Sequence, residues 1–224
     1  MRYDISGDNL QLANITLSEG ESLEVDANSV IYTMGTFSID KSKGIVGGLK
    51  KAITGSVLET VTYRSKKGVA ALGIGGSLPG RIMDLEISRV EWIAQKDSFL
   101  AMQPDVVVKQ EFQKKLGESF GGEPFTLLRL GGKGMTFLFA LGDFIIFPLQ
   151  KGDSYEVSAD KAVAWESTVK YKIEVDKDMK SGIFDKSGPY VTKFEGPGRI
   201  VMQTMSLQKI QSMLMPYMIT DEDK

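Results

Sequence analysis

Hydrophobic and polar residues alternate along much of this chain with a period of two, and the alternating runs are short. Tyr155, Val157 and Ala159 alternate with Glu156 and Ser158, and Val169, Tyr171, Ile173 and Val175 alternate with Lys170, Lys172 and Glu174. That is the period of a strand with one buried face. Residues 135–140 are instead a continuous apolar run rich in aromatic residues, as expected of a strand buried on both faces, and residues 144–149 read as a second strand. Pro148 stands near the end of its run, where a missing backbone donor is tolerated. Turns at Gly131-Gly132-Lys133, Leu141-Gly142-Asp143 and Lys151-Gly152-Asp153 separate the runs. Short strands with frequent turns predict an all-β protein, an antiparallel sandwich or barrel.

The pattern also repeats. Leu17-Ser-Glu-Gly-Glu-Ser-Leu-Glu-Val25 runs on to Val30, Phe37 and Ile39. Ile87-Ser-Arg-Val-Glu-Trp-Ile-Ala-Gln95 runs on to Leu100, Val107 and Lys109, and Leu149-Gln-Lys-Gly-Asp-Ser-Tyr-Glu-Val157 to Ala162, Val169 and Tyr171. Pro79-Gly80-Arg81-Ile82-Met83 returns as Pro197-Gly198-Arg199-Ile200-Val201, with a degenerate copy at Lys133-Gly134-Met135-Thr136-Phe137. Lysine-bearing connections precede them, at Gly48-Leu-Lys-Lys-Ala-Ile-Thr-Gly55, Phe112-Gln-Lys-Lys-Leu-Gly117 and Met179-Lys-Ser-Gly-Ile-Phe184. Three motifs in one order predict a single compact unit over 1–224, built of three pseudo-repeats with short connecting helices. The copies fall roughly at 1–78, 79–132 and 133–224, with boundaries that interleave.

The end of the chain changes period. Leu207, Ile210, Met213, Leu214, Tyr217 and Met218 follow helical spacing, opposite Gln208, Lys209, Gln211 and Ser212. Ser206 is placed to cap this helix, and Pro216 to kink or end it. Of the chain's 11 Met, several crowd this end, and Met suits adaptable contact surfaces. Two readings are open: a helix lying on its own sheet, or an oligomer or partner contact through Leu207, Ile210, Met213, Leu214 and Tyr217.

Composition narrows the chemistry. A formal charge of −2 gives no long-range attraction to nucleic acid. The chain has no Cys and no His, which removes thiol and imidazole catalysis and the usual zinc, copper and iron ligands. The glycine- and lysine-rich stretch from Lys41 to Gly55 lacks the spacing of a phosphate loop. Its charge fits a flexible connection, or a contact with an acidic partner or membrane surface. Gly73-Ile-Gly-Gly-Ser-Leu78 ends in Leu where a dinucleotide fingerprint needs Gly, and leads into a turn rather than a helix. It reads as a β connection.

Carboxylates are then the main acid–base groups. The turn acids Glu21, Glu91 and Asp153 recur with the repeat. Converging on one axis they would hold a hard cation; otherwise each belongs to its own exposed turn. Trp92 and Trp165 read as core residues. No cofactor is indicated.

Several motifs point to a family. Phe112-Gln-Lys-Lys-Leu-Gly117, Gly121-Gly-Glu123 and Glu195-Gly-Pro-Gly-Arg-Ile-Val-Met-Gln203, with Phe99-Leu-Ala101 and Leu49-Lys-Lys51, resemble the altered-inheritance-of-mitochondria (mitochondrial biogenesis) family. The resemblance covers nearly the whole chain. It implies a fold like that of the tryptophan RNA-binding attenuation protein, of double-stranded β-helix type, made of three repeated units. It implies that prokaryotic members are uncharacterised and that mitochondrial members are linked to inner-membrane organisation. RNA binding does not follow from a shared fold.

The first ten residues show neither a signal nor a transit pattern, and no apolar run reaches bilayer length. The expectation is a cytoplasmic protein of the prokaryotic kind. Three functions are carried forward. The first is a non-enzymatic interaction or scaffold protein, a homo-oligomer that engages an unknown protein partner or a membrane periphery. The second binds a small ligand between repeats, against Phe137, Phe139 and Trp165. The third is a carboxylate- or metal-dependent enzyme.

Overall fold

The structure is a computed structural model and describes residues 1–41, 58–112, 126–175 and 190–217. The lysine-bearing connections expected as short helices, most of the glycine-rich stretch after Lys41, and Met218 lie outside these residues.

The described chain is almost entirely antiparallel strand, as its period-two patterning requires. The N-terminal third forms β1 (Arg2–Ser6), β2 (Leu12–Leu17), β3 (Ser22–Asp26), β4 (Val30–Lys41) and β5 (Thr60–Gly75). The middle forms β6 (Gly80–Ile87), β7 (Trp92–Gln95), β8 (Phe99–Met102), β9 (Val106–Phe112), β10 (Thr126–Gly132) and β11 (Gly134–Leu141). The last part forms β12 (Phe144–Leu149), β13 (Ser154–Ser158), β14 (Ala162–Glu166), β15 (Lys170–Val175), β16 (Tyr190–Glu195) and β17 (Gly198–Gln203), then one helix, α1 (Leu207–Leu214).

One pairing order recurs along the chain. β5 lies between β3 and β4, β10 between β7 and β9, and β16 between β13 and β15. A second order runs beside it. β11 lies between β6 and β8, β17 between β12 and β14, and the C-terminal half of β5 between β2 and the first residues of β4. Two further ladders tie these groups into larger sheets: β3 pairs β8, and β7 pairs β14.

The core follows the same division. Ile15, Leu17, Leu72 and Phe137 fill an N-terminal cluster, Trp92, Leu128 and Leu138 a central one, and Trp165, Phe194 and Ile200 a C-terminal one. Both tryptophans are core residues, Trp165 with no exposed surface at all. Trp165 packs edgewise on Phe194 at 5.1 Å between ring centroids. The glycine-rich segment at the end of β5 has a packing reason. A Cβ on Gly76 would sit 2.3 Å from the Phe139 ring, and one on Gly73 2.2 Å from Tyr32. Glycine is therefore required for ring packing, as expected of a β connection.

The β7–β14 ladder carries a charged clamp. The guanidinium of Arg199 donates from Nε to Glu166 Oε1 at 2.7 Å, and the Arg199 backbone N–H donates to Glu166 Oε2 at 3.0 Å. The same guanidinium lies 5.0 Å from the centroid of Trp92, the residue opposite Glu166 in the ladder. Glu166 is buried, so losing Arg199 leaves a carboxylate without its cation. We expect Arg199→Ala to cost about 2 kcal/mol and lower the thermal midpoint by about 4–8 °C. Thermal unfolding followed by circular dichroism checks this, and Arg199→Lys should recover only part of the loss because it cannot reproduce the fork.

Candidate functional site

Three turns that join the ladders meet at one place. Asp26 to Ser29 links β3 to β4, Lys96–Ser98 is a 3-10 turn linking β7 to β8, and Ala159–Lys161 is a 3-10 turn linking β13 to β14. They border an open cavity of about 600 Å³ whose walls include Asp26, Gln95, Ser98, Phe139, Asp160 and Gln203. Leu207, Gln208 and Gln211 of α1 stand at the same cavity.

Hydrogen bonds hold the turns to one another. Gln95 donates from Nε2 to the carbonyl of Ala159 at 2.6 Å, and Ser29 Oγ donates to the carbonyl of Leu100 at 3.4 Å. Gln203 does two jobs. Its Nε2 donates to the carbonyl of Asp160 at 2.8 Å, and its Oε1 accepts from the backbone N–H of Leu141 at 2.9 Å. Within the first turn, Asp26 Oδ1 accepts from the Asn28 N–H at 2.7 Å. This geometry binds backbone to backbone around the cavity and fixes its shape.

The cavity carries two half-buried or buried acids. Burial pushes the Asp26 carboxyl above the ordinary Asp range, against the Asn28 hydrogen bond and the charge of Lys96. Asp160 accepts a short hydrogen bond from Ser158 Oγ, while its Oδ2 is buried without a protein hydrogen-bond partner. Sequence reasoning singled out neither acid. Asp26 and Asp160 follow ordinary strand ends, and only the meeting of distant turns distinguishes them. Gln95 and Gln203 were missed for the same reason.

The turn acids stay apart in function. Glu21 Oε2 accepts from the Ser18 N–H and Asp153 Oδ2 from the Gln150 N–H, both at 2.7 Å. Each carboxylate thus closes the turn three residues before it. Glu21 also bonds the N-terminal ammonium, and both that bond and the Ser18 bond lower its pKa. Glu91 does something else: it pairs with Arg129 at 3.5 Å, beside the stronger Arg129–Glu111 bridge at 2.8 Å. Among the described residues no group of three or more Asp, Glu, His or Cys could hold a metal ion. The aromatic residues suggested for a pocket do not converge either. Phe137 belongs to the N-terminal core and Trp165 to the C-terminal core, and only Phe139 lines the cavity.

α1 forms where its spacing predicts, and Ser206 Oγ accepts from the Lys209 N–H at 3.2 Å as its N-cap. Most of its apolar side chains are exposed. Leu207 and Leu214 are each 56% exposed, Met213 62% and Tyr217 84%, while Ile210 is intermediate. Among the described residues no helix is long and apolar enough to cross a membrane.

The rise in the Asp26 pKa has a stability consequence with a definite sign. A carboxyl raised in the folded state contributes fully below its unfolded value and loses that contribution as pH climbs through the folded one. Asp26→Asn keeps the acceptor for Asn28 and removes the buried charge. We expect a higher thermal midpoint than wild type at pH 7, and a gap that closes below the ordinary Asp range; melting curves across that interval check it.

The comparisons with known proteins agree with this architecture. A curated, uncharacterised protein of Streptococcus pyogenes serotype M6 is 23% identical over 221 residues, which is 95% of this chain and 88% of that protein. An X-ray crystal structure of a Streptococcus pyogenes protein from a structural genomics consortium superposes with a TM-score of 0.79 at 22% identity, covering 97% of this chain and 99% of that one. At that identity the likeness shows the fold alone. The profile of the mitochondrial biogenesis AIM24 family matches residues 3–205, and the chain therefore belongs to that family.

Proposed function

We propose that this protein is a non-enzymatic scaffold that self-associates and presents α1 to a neighbour, a protein complex or the periphery of a membrane. The observation that supports it is the outward apolar face of α1. Leu207, Met213, Leu214, Met215 and Tyr217 are all more than half exposed on one short segment. An amphipathic helix that leaves its apolar residues in water gains nothing from them in the isolated chain, and a contact surface is what they suit. The recurrent pairing order supports the further reading of three pseudo-repeats, near 1–78, 79–132 and 133–224, in a fold like the attenuation protein's. The setting we propose is the cytoplasm.

The cavity supports a second reading, a small-ligand site. Its polar rim of Asp26, Gln95 and Gln203 with the Phe139 ring has the mixed lining of such sites, and about 600 Å³ lies within their usual size.

Native mass spectrometry of protein taken gently from its host separates the two. The scaffold reading expects integer multiples of the 24.6 kDa chain, and the full-length Met213→Glu/Tyr217→Glu variant, at positions away from the cavity, should lose neighbours or partners without losing stability. Unchanged assembly and unchanged partners in that variant would end the role of α1. Extra mass that disappears on denaturation would instead establish the ligand reading.

A further inference from the structure

We infer that β13 closes against the first residues of β4 within one chain, forming a third ladder that completes the wall of the cavity with Ile31. The inference goes beyond both readings above, since the closure needs neither a partner nor a ligand.

The warrant begins with the two ladders that join the strand groups. In one, β3 pairs β8 with Val25 opposite Ala101 and Glu24 opposite Met102. In the other, β7 pairs β14 with Ala94 opposite Ala164 and Ile93 opposite Trp165. Each joins the strand before the short turn of one group to the strand after the short turn of the next. Continued in the same order, β13 leads back to the start of β4. The turn before β4 supplies Asn28 and Ser29 to the cavity, and the turn after β13 supplies Asp160. The seam between the two strands therefore starts at the cavity. Among the described residues, however, β13 pairs only β16, and β4 pairs only β5.

The start of β4 already has the shape of the strands that do pair. β8 runs beside β11 with Leu100 left over between Phe99 and Ala101, and β14 beside β17 with Val163 left over between Ala162 and Ala164. β4 runs beside β5 with Ile31 left over in the same place, between Val30 and Tyr32. One bulge thus recurs at one position in all three strands. Leu100 and Val163 are buried and line the cavity, whereas Ile31 is 62% exposed. What β8 and β14 have and β4 lacks is the neighbour on the outer edge. On the other side of the seam, Val157 is buried as Val25 and Ala94 are, but Ser154, Tyr155 and Glu156 are exposed. Neither stretch carries the proline that commonly blunts an edge against pairing. Closure pairs the free backbone groups of both edges and moves Ile31 from water to the cavity wall, and both changes favour it.

Register follows from the existing ladders. Val25, Ala94 and Val157 end their strands alike, and Val30, Phe99 and Ala162 begin theirs alike. Val157 then faces Tyr32, Glu156 faces Thr33, and Tyr155 faces Met34. Facing residues in an antiparallel pair have Cα atoms about 4.5–5.5 Å apart, within the range a disulfide spans.

The chain has no cysteine, so a disulfide forms only where one is introduced. The experiment is mild oxidation, with oxidised glutathione, of the dilute full chain carrying Thr33→Cys and Glu156→Cys. Both positions are exposed, and the reduced variant should melt as wild type does. If it does not fold, Met34→Cys with Tyr155→Cys carries the same test at the next facing pair. We expect one disulfide inside each chain, seen as faster migration on a non-reducing gel and as the loss of two hydrogens from the intact mass. Thiols that stay free in both pairs, or disulfides only between chains, would overturn the closure. In the oxidised chain Ile31→Ala should lower the thermal midpoint by several degrees, as the loss of a buried Ile side chain requires. An unchanged midpoint would overturn the place given to Ile31 in the cavity wall.

Discussion

Strand edges are the constraint on which this molecule depends. A group of short antiparallel strands buries its apolar face only when its outer backbone groups find partners, because unpaired edges in a core are costly. The β3–β8 and β7–β14 ladders meet that need and convert separate strand groups into continuous sheets. Their effect on packing is direct: β8 and β14 are buried at every residue. The Glu166–Arg199 clamp over Trp92 then locks the second ladder from its side. Where no in-chain ladder forms, at β13 and the start of β4, the same kind of strand stays wet.

The cavity is a consequence of those ladders. Each begins at a short turn, and pairing the strands brings the turns at Asp26 to Ser29, Lys96–Ser98 and Ala159–Lys161 around one space. Backbone carbonyls pointing into that space need donors. The side chains of Gln95, Ser29 and Gln203 supply them. The polar character of the cavity is thus set first by backbone satisfaction. Asp26 illustrates the tension, since its turn uses the carboxylate as a hydrogen-bond acceptor while the surrounding protein raises its pKa.

The strands were legible in the sequence because their determinants are local. Period two in residues 155–159, the continuous apolar run at 135–140, the second strand at 144–149, and glycine turns between them correspond to β13, β11 and β12 within a residue or so. Ser206 caps α1 as its position before a helical pattern required. Position around the molecule was not legible. Glu21, Glu91 and Asp153 look alike along the chain, and only Glu21 and Asp153 make the same turn bond. Phe137, Phe139 and Trp165 look like one aromatic set, yet Phe137 and Phe139 fall in the N-terminal cluster and Trp165 in the C-terminal one. Asp26 and Asp160 gain their setting from contacts between residues far apart in sequence, which no local pattern encodes.

α1 brings the two functional readings onto one element while keeping them separable. Its Gln208 and Gln211 stand at the cavity, and Met213 and Leu214 face water. Helical geometry makes residues on one side nearly independent of those on the other, since neighbours three and four apart share a face. A charge placed at Met213, which is neither three nor four residues from Gln208 or Gln211, therefore perturbs an external contact away from the cavity, whereas a change at Gln208 alters the cavity wall. The family relationship supplies no activity that would favour either face, and the exposed apolar area is the larger physical anomaly. Leu, Met and Tyr side chains this exposed contribute little to the stability of a lone chain, which is why the scaffold reading stands ahead of the ligand reading.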